Sequence, residues 1–370
     1  MLKGLEFIKV DITDASALQV AFTAAWPTSS TADITVFHTA AIIRFYERHA
    51  RYLDRSLKLN VEGTRNVIEA ARAAGANVLI YTSSATVGVH GTGLLLLPWK
   101  TEPQRYVQIL NDDNSRLPEE GFSNYATVKV LAERLVTAAD KTQSGSKVLR
   151  TGCVRPGNGI VGPYGDLVVH HYLQRKSNPV WVGNVIQSFS YVENCAEAHL
   201  CYEARLIDLL AGSKNPDIGG QAFCITDPGP TPTFGDVYTT IGTLVDGVTF
   251  SSVSATFMLL MAYCVEFYCR VQYALKWLPP ITGEIINLQP GMFRLTQLHV
   301  IVDDSRARLP PSQGGLGYKG TWTTLEGVHR TVEEYKSSVG SSGSQLNGGN
   351  PKSTKVADAM PHVAAPLDAR

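Results

Sequence analysis

The chain has 370 residues, 44% of them hydrophobic and 18% charged, and its 33 basic side chains balance its 33 acidic ones. That length buries an ample core, so a globular, enzyme-sized protein is the default. The charge balance leaves no basic footprint for nucleic acid, and a mean hydropathy of -0.03 argues against a polytopic membrane protein.

Residues 1–6 do not read as a signal peptide, because charge interrupts them before an apolar core forms. Residues 7–10 (Phe-Ile-Lys-Val) read as a strand, followed by a turn at 11–14 that supplies a helix N-cap, and a helix over 15–25. Residues 34–38 predict a strand. Residues 60–74 predict a helix with Val61, Val67, Ile68 and Ala71 on one face. A strand at 77–83, a helix at 125–139 and a strand at 148–155 follow. Continuous apolar strands separated by helices predict a parallel sheet covered on both faces. The class is α/β, doubly wound.

The later part is less regular. Residues 219–227 look like a strand entering a Pro/Gly turn at 227–233, and 234–245 like a helix. Residues 251–278 are mostly apolar, with only Glu266, Arg270 and Lys276 charged. Their charge-free run is short for a span, which needs ~20 apolar residues. Apolar side chains on nearly every face call for burial against a core, a substrate or a membrane surface. Residues 337–370 are rich in Ser, Gly, Asn, Pro and Ala and predict a disordered tail. The six cysteines are too sparse for a disulfide framework and show no CxxC pair for a metal. They read as small core residues in a reducing, intracellular compartment.

Tyr125 and Lys129 stand four residues apart in a helical pattern, on one helix face. A free tyrosine has a pKa of about 10, and a nearby ammonium favours phenolate. Such a tyrosine serves as base for an alcohol or as acid for a ketone. The pair alone also fits a solvated lysine beside a packed ring. The strand at 77–83 ends in hydroxyls, Thr82-Ser83-Ser84. Ligands of doubly wound sheets sit at the carboxyl ends of strands, so Ser84 would project where Tyr125 points. The other reading is that these hydroxyls cap a turn. Arg155-Pro156 ends a strand in either case.

These pieces stand in a telling order: Asn60-Val61-Glu62-Gly63-Thr64, Tyr81-Thr82-Ser83-Ser84, Tyr125-x-x-x-Lys129 and Arg155-Pro156-Gly157. Val36-Phe37-His38-Thr39-Ala40-Ala41, residues 189–194, Ala198-His199 and residues 220–227 narrow it further. Together, from about residue 5 to about 336, the chain resembles the extended short-chain dehydrogenases. It is most similar to the 3β-hydroxysteroid dehydrogenase family, including the decarboxylating sterol-4-carboxylate 3-dehydrogenases.

The resemblance implies a Rossmann-like part over 1–165 and a substrate-binding part over 166–336, interleaved with the last core strands. It implies NAD or NADP as cofactor, with NAD favoured. Tyr125 would accept the proton of a 3β-hydroxyl, Lys129 would lower the tyrosine pKa and bond the nicotinamide ribose, and Ser84 would orient the reacting oxygen. Asp11 and Ile12 would contact adenine, Ala40 and Ala41 the adenosine side, and Pro156 the nicotinamide side. Asn60 either anchors the loop facing the cofactor or caps a helix. His38 and His199 fit packed positions as well as functional ones. The substrate would be a sterol or related polycyclic lipid, with decarboxylation where it carries a 4-carboxyl. Residues 94–99 and 251–278 could wall an apolar pocket or simply pack. The implied location is cytoplasmic, or peripheral at the endoplasmic reticulum membrane through 251–278. A reductase or epimerase of another carbonyl compound, or a non-catalytic remnant that binds an apolar ligand or partner, are the alternatives.

The family pattern opens with a Gly-rich turn that holds pyrophosphate on backbone N–H groups. This sequence contains no such turn, and only ten residues precede Asp11. The expectation is a gap between residues 7–10 and 34–38, weak dinucleotide binding and slow turnover. Either an upstream segment belongs to the natural protein, or the chain is a cofactor-poor remnant.

Overall fold

The computed structural model describes residues 6–24, 33–92, 106–118, 121–163 and 165–344. Asp14 opens helix α1 (Ala15–Thr23), its Oδ1 accepting 3.0 Å bonds from the N–H groups of Ser16 and Ala17. Residues 7–10 form no strand, and Phe7 is 90% exposed. A strand exists through its ladder, and no described strand offers these residues one. Their apolar composition instead docks Val10 and Ile12 against the core.

Strand β1 (Thr35–His38) leads through α2 (Leu53–Leu57), a π-helical turn at Lys58–Glu62 and α3 (Gly63–Ala73) to β2 (Val78–Thr82). After β3 (Val107–Leu110) comes α4 (Asn124–Ala138), whose N-cap Ser123 accepts from the Ala126 N–H. A two-residue hairpin, β4 (Gln143–Ser144) and β5 (Lys147–Val148), turns the chain into β6 (Arg150–Pro156). There follow β7 (Ile160–Val161), α5 (Val169–Gln174), β8 (Ser177–Val180), β9 (Ser190–Tyr191), α6 (Val192–Leu210) and β10 (Gln221–Ile225). A capping box between Thr233 and Asp236 starts α7 (Phe234–Leu244). The chain continues through β11 (Thr249–Ser252), α8 (Ala255–Ala274), α9 (Pro290–Thr296), β12 (His299–Val302), α10 (Ser305–Arg308) and α11 (Thr324–Ser344).

The main sheet is parallel throughout, in the order β1-β2-β6-β10. Leu18, Val67, Ala71, Ala132 and Val136, from α1, α3 and α4, cover one face. Cys195, Ala198, Tyr202 and Leu206, from α6, cover the other. The fold is therefore α/β with helices on both sides of a parallel sheet. Gly63 is where α1's approach meets α3: a Cβ there would lie 2.7 Å from Ile12 Cδ1. β1 is an edge strand among the described residues, with Phe37 40% exposed.

Beyond the sheet, β8 pairs with β11, β3 with β12 and β7 with β9, all parallel. Val169, Leu173, Val237, Ile241, Val328 and Val332 form a separate core from α5, α7 and α11. Helix α11 runs to Ser344, so the tail expected from residue 337 starts helical. Residues 345–370 and 94–99 lie outside the described residues. The apolar stretch 251–278 holds α8, which buries Leu259, Ala262, Val265 and Glu266 and exposes most of its other apolar side chains. Among the described residues no helix is long and apolar enough to cross a membrane.

Candidate active site

Four parallel strands end on one rim, in register: His38 lies opposite Tyr81, Thr82 opposite Val154, and Pro156 opposite Ile225. Ser84 follows two residues after β2. Its extended backbone (φ -162°, ψ 141°) starts the 3-10 turn at Ala85–Gly88, and its Oγ accepts from the Thr86 N–H at 3.3 Å. The hydroxyl thus caps a turn, shares a 2.8 Å hydrogen bond with the Thr86 hydroxyl, and lies near enough to the Tyr125 phenol to favour its ionised form. Both sequence readings of Ser84 hold at once.

Tyr125 is the second residue of α4, next to the sheet's carboxyl rim. Burial holds its phenol above the ordinary tyrosine range, and the Ser84 hydroxyl works in the opposite direction. Lys129 lies one turn on, 2% exposed, with Nζ 5.9 Å from the centroid of the Tyr125 ring and 4.5 Å from that of Tyr81. Its ammonium donates to the Thr82 main-chain oxygen at 2.7 Å. Burial pushes Lys129 down to about 7, against the pull of Cys153 and Glu133. The sequence pairing of ammonium with phenolate is thus opposed by burial of both groups. At neutral pH the phenol keeps its proton, and burial weakens the lysine's hold on its own.

The residues assigned to a cofactor divide. Asn60 is 1% exposed inside the π-helical turn, so it caps no helix. Its Oδ1 accepts from the Ile42 N–H at 2.9 Å, and its Nδ2 donates to the Ile42 oxygen at 3.1 Å. That clamp anchors the loop carrying Ala40 and Ala41, which leaves the end of β1. Pro156 ends β6, and the Gly157 N–H after it is tied to the Ile225 oxygen and to Ser190 Oγ, both at 2.9 Å. Asp11 is exposed and spends Oδ1 on the N–H and hydroxyl of Thr13, at 2.8 and 2.9 Å. Ile12 packs on the core, and its oxygen accepts from Asn66 Nδ2 at 3.0 Å. Thus Ser84, Tyr125 and Lys129 meet at the rim, Asn60 braces its loop, and Asp11 is occupied by its own turn.

Sequence reasoning gave Thr82 no role beyond capping a turn and left His38 and His199 open. His199 Nδ1–H donates to the Cys195 oxygen at 2.7 Å, so Nε2 accepts from the Thr82 hydroxyl, also at 2.7 Å. Thr82 therefore carries Lys129 on its carbonyl and His199 on its hydroxyl. The Thr64 hydroxyl donates to the Asn60 oxygen, so His38 Nε2–H donates to Thr64 Oγ1 at 2.9 Å. Burial, with Lys129 nearby, lowers His38 to about 4. A hydroxyl two residues before Ser84 was the one visible signal; nothing local ties it to position 199.

Among the described residues no group of three or more His, Cys, Asp or Glu could hold a metal. All six cysteines are free; Cys153, Cys195 and Cys224 are buried, whereas Cys264 is exposed and Cys201 and Cys269 are half-buried, unlike the core positions expected for all six.

The chain is 29% identical to an Arabidopsis thaliana 3beta-hydroxysteroid-dehydrogenase/decarboxylase (isoform 2) over 96% of its length and 57% of that protein. It is 30% identical to isoform 1 over 81% of its length and 62% of that protein. The chain thus spans about three fifths of the length of these relatives. It is 26% identical to the mouse decarboxylating sterol-4-alpha-carboxylate 3-dehydrogenase, over 81% of this chain and 74% of that one. Among solved structures, the UDP-glucose 4-epimerase of Thermotoga maritima matches with a TM-score of 0.57 at 17% identity, over 92% of this chain and 88% of that chain. The Thermus thermophilus UDP-glucose 4-epimerase, solved with NAD, matches with a TM-score of 0.53 at 18% identity, over 91% of this chain and 86% of that chain. Likeness at that identity speaks for the fold alone. The model of the 3-beta hydroxysteroid dehydrogenase/isomerase family matches residues 2–252, across all four strands of the main sheet and the Ser84–Tyr125–Lys129 rim, and the chain belongs to that family.

Proposed function

We propose that this chain is an NAD(P)-dependent oxidoreductase acting on the 3β-hydroxyl of a sterol or related polycyclic lipid, with loss of the C4 carboxyl where the substrate carries one. The observation that carries the reading is the meeting of the Ser84 hydroxyl and the Tyr125 phenol at the sheet's carboxyl rim, with Lys129 one helical turn away. The dehydrogenase names of the relatives support it, and NAD is the dinucleotide named for a protein of the same fold.

The residues present suit the nicotinamide–ribose half of a dinucleotide: an amine, a phenol and a hydroxyl gather where three strands end. Lys129, Tyr125 and Ser84 would hold a nicotinamide ribose there, and the bound ring would supply the acceptor for a hydride from the carbinol carbon. Ser84 Oγ holds the substrate oxygen, and Tyr125 Oη receives its proton. Because burial keeps the phenol protonated, oxidation needs the Lys129 ammonium to draw out phenolate. In the reducing direction the same phenol donates its proton to the ketone. Oxidation of a 4-carboxysterol leaves a β-keto acid. Its C4–carboxyl bond breaks with release of carbon dioxide, the ketone takes the electron pair as enolate, and water returns a proton to C4.

The test is single-turnover formation of NADH from a 3β-hydroxysterol and from its 4-carboxylated form, at high NAD concentration, in the chain and in Tyr125→Phe. NADH formed by the chain and lost in the variant is the expected result. Equal NADH from both proteins, or none from the folded chain with either sterol, overturns the reading.

A further inference from the structure

Two helices from opposite faces of the main sheet take hold of one residue at its rim. Helix α4 covers one face and α6 the other. Lys129 of α4 donates to the Thr82 main-chain oxygen, and His199 of α6 accepts from the Thr82 hydroxyl, each at 2.7 Å. Thr82 is the last residue of β2, two before Ser84. The peptide group joining Thr82 to Ser83 is held by the ladder on one side only. Its N–H donates to the Val154 oxygen at 2.7 Å, while the β1 ladder stops at the His38–Tyr81 pair and leaves the Thr82 carbonyl to Lys129. The imidazole is itself well anchored. Its Nδ1–H donates to the Cys195 oxygen one helical turn back, at 2.7 Å, and the Phe37 ring of β1 meets it edge to face, with centroids 6.2 Å apart. It therefore offers one acceptor nitrogen in a fixed orientation, and Thr82 uses it.

The ammonium has little else to rest on. A buried ammonium needs acceptors for its N–H groups, because no water supplies them. Among the described residues Lys129 makes one hydrogen bond, to Thr82, and otherwise faces the rings of Tyr81 and Tyr125. The titratable groups around it are His38 from β1, Tyr81 from β2, Cys153 from β6, and Tyr125 and Glu133 from its own helix. None of these accepts a hydrogen bond from it among the described residues. A shift of the Thr82 peptide therefore moves the acceptor on which the charge depends.

We propose that His199 is a positioning residue: by pinning the Thr82 hydroxyl to α6, it fixes the carbonyl that holds the Lys129 ammonium beside Tyr125. His199 acts only through Thr82. The catalytic consequence rests on the oxidoreductase reading above. With Thr82 released, the charged form of Lys129 loses support, less ammonium stands beside the phenol, and phenolate forms at higher pH.

A double-mutant cycle on the full chain, with neither dinucleotide nor sterol present, tests the positioning. His199→Phe and Thr82→Val each remove the grip, and each is unfolded in urea at pH 7 in the parent and in Lys129→Met. The drop in urea midpoint should be smaller by about half in the Lys129→Met background, because methionine has no bond to Thr82 to lose. His199→Gln, whose amide oxygen accepts in place of Nε2, and Thr82→Ser should recover most of the midpoint. Single-turnover NADH formation from a 3β-hydroxysterol reads the catalytic consequence. Its acid limb should move up by about one pH unit in His199→Phe and Thr82→Val, the scale of a weakened hydrogen bond to a charged group. Sterol affinity should stay as in the parent, and the limb should return in His199→Gln and Thr82→Ser. Equal midpoint drops in both backgrounds overturn the proposal, since the Thr82 hydroxyl would then serve the fold alone. So does an acid limb that stays in place in an active His199→Phe chain. Coupled midpoints in a chain that forms no NADH overturn the oxidoreductase reading instead and uphold the positioning.

Discussion

Lys129 Nζ lies 2.7 Å from the main-chain oxygen of Thr82. The β1–β2 ladder ends at the His38–Tyr81 pair, so this is the first carbonyl on that side without a strand to bond. The ammonium occupies the position a longer β1 would have filled, and it does so almost fully buried.

That burial makes Lys129 costly to stability. Its folded pKa of about 7 lies below the unfolded value of 10.5, so between the two the unfolded chain binds more protons. The penalty is complete below pH 7 and fades as pH rises toward 10.5. Lys129→Met should therefore be more stable than the parent in urea at pH 7. The gap should shrink by about 2 kcal/mol by pH 9, at about 1.4 kcal/mol per unit. Buried Cys153 and Tyr125 act in the opposite sense in both proteins, so the difference isolates the lysine. A gap that stays constant with pH contradicts the burial argument.

On the proposed mechanism, Tyr125→Phe removes the group that would move the proton and little else. Single-turnover rates should fall by about 10³, within the range for a lost general acid or base. Sterol affinity, measured by equilibrium binding, should hardly change. Ser84→Ala should slow the reaction less, by about 10-fold to 100-fold, and cost roughly 1 kcal/mol through the lost cap on Thr86. A melting curve separates the two effects.

His38 and His199 are both buried and neutral, and burial lowers both pKa values, His38's to about 4. The unfolded histidine takes up a proton near pH 6.5, so stability drops on acidification from 6.5 toward 4. His38→Gln should lose less than the parent over that window, by about 1.4 kcal/mol per pH unit. His199→Phe should cost about 1 kcal/mol at neutral pH, because it leaves the half-buried Thr82 hydroxyl without its acceptor. Urea titrations at pH 6.5 and 4.5 decide both.

Arg155, fully buried in β6, is held by the Glu133 carboxylate and by Asn114. Glu133→Gln alone should destabilise the fold by about 3 kcal/mol or more, since it strands a buried guanidinium. Glu133→Leu with Arg155→Met should recover most of that loss. A double variant no more stable than the single one would show that the pair itself holds the site together.

Gly152 in β6 faces the Tyr202 ring, and a Cβ there would come within 2.2 Å of Tyr202 Cζ. Tyr202 cannot swing away freely, since its hydroxyl donates to the Ile218 and Gln221 oxygens at 2.7 and 2.9 Å. Gly152→Ala should lower stability by about 3 kcal/mol, whereas Gly152→Ala with Tyr202→Phe should lose less.

Much of this site was legible because its chemistry is spaced along short, regular elements. Tyr125 and Lys129 share a helix face, and Ser84 follows an unmistakably apolar strand, so alternation of strand and helix brings them to one rim. Residues 7–10 misled because strand composition was present where a pairing partner was not. Thr82 and His199 lie 117 residues apart, and their bond follows from how α6 crosses the sheet, which no local pattern encodes. The outward face of α8 was equally hidden. Its composition is apolar all round, and only packing chose Leu259 and Val265 for the core over Leu260 and Phe267.

The pairing of β3 with β12 bears on how the protein is made. Val107 meets its strand partner His299 some 190 residues later in the chain. During synthesis, Gln108 and Leu110, which the finished fold buries, must wait uncovered until the ribosome has delivered some 190 further residues. Maturation at this edge is a late event, and chaperones would have their longest window there.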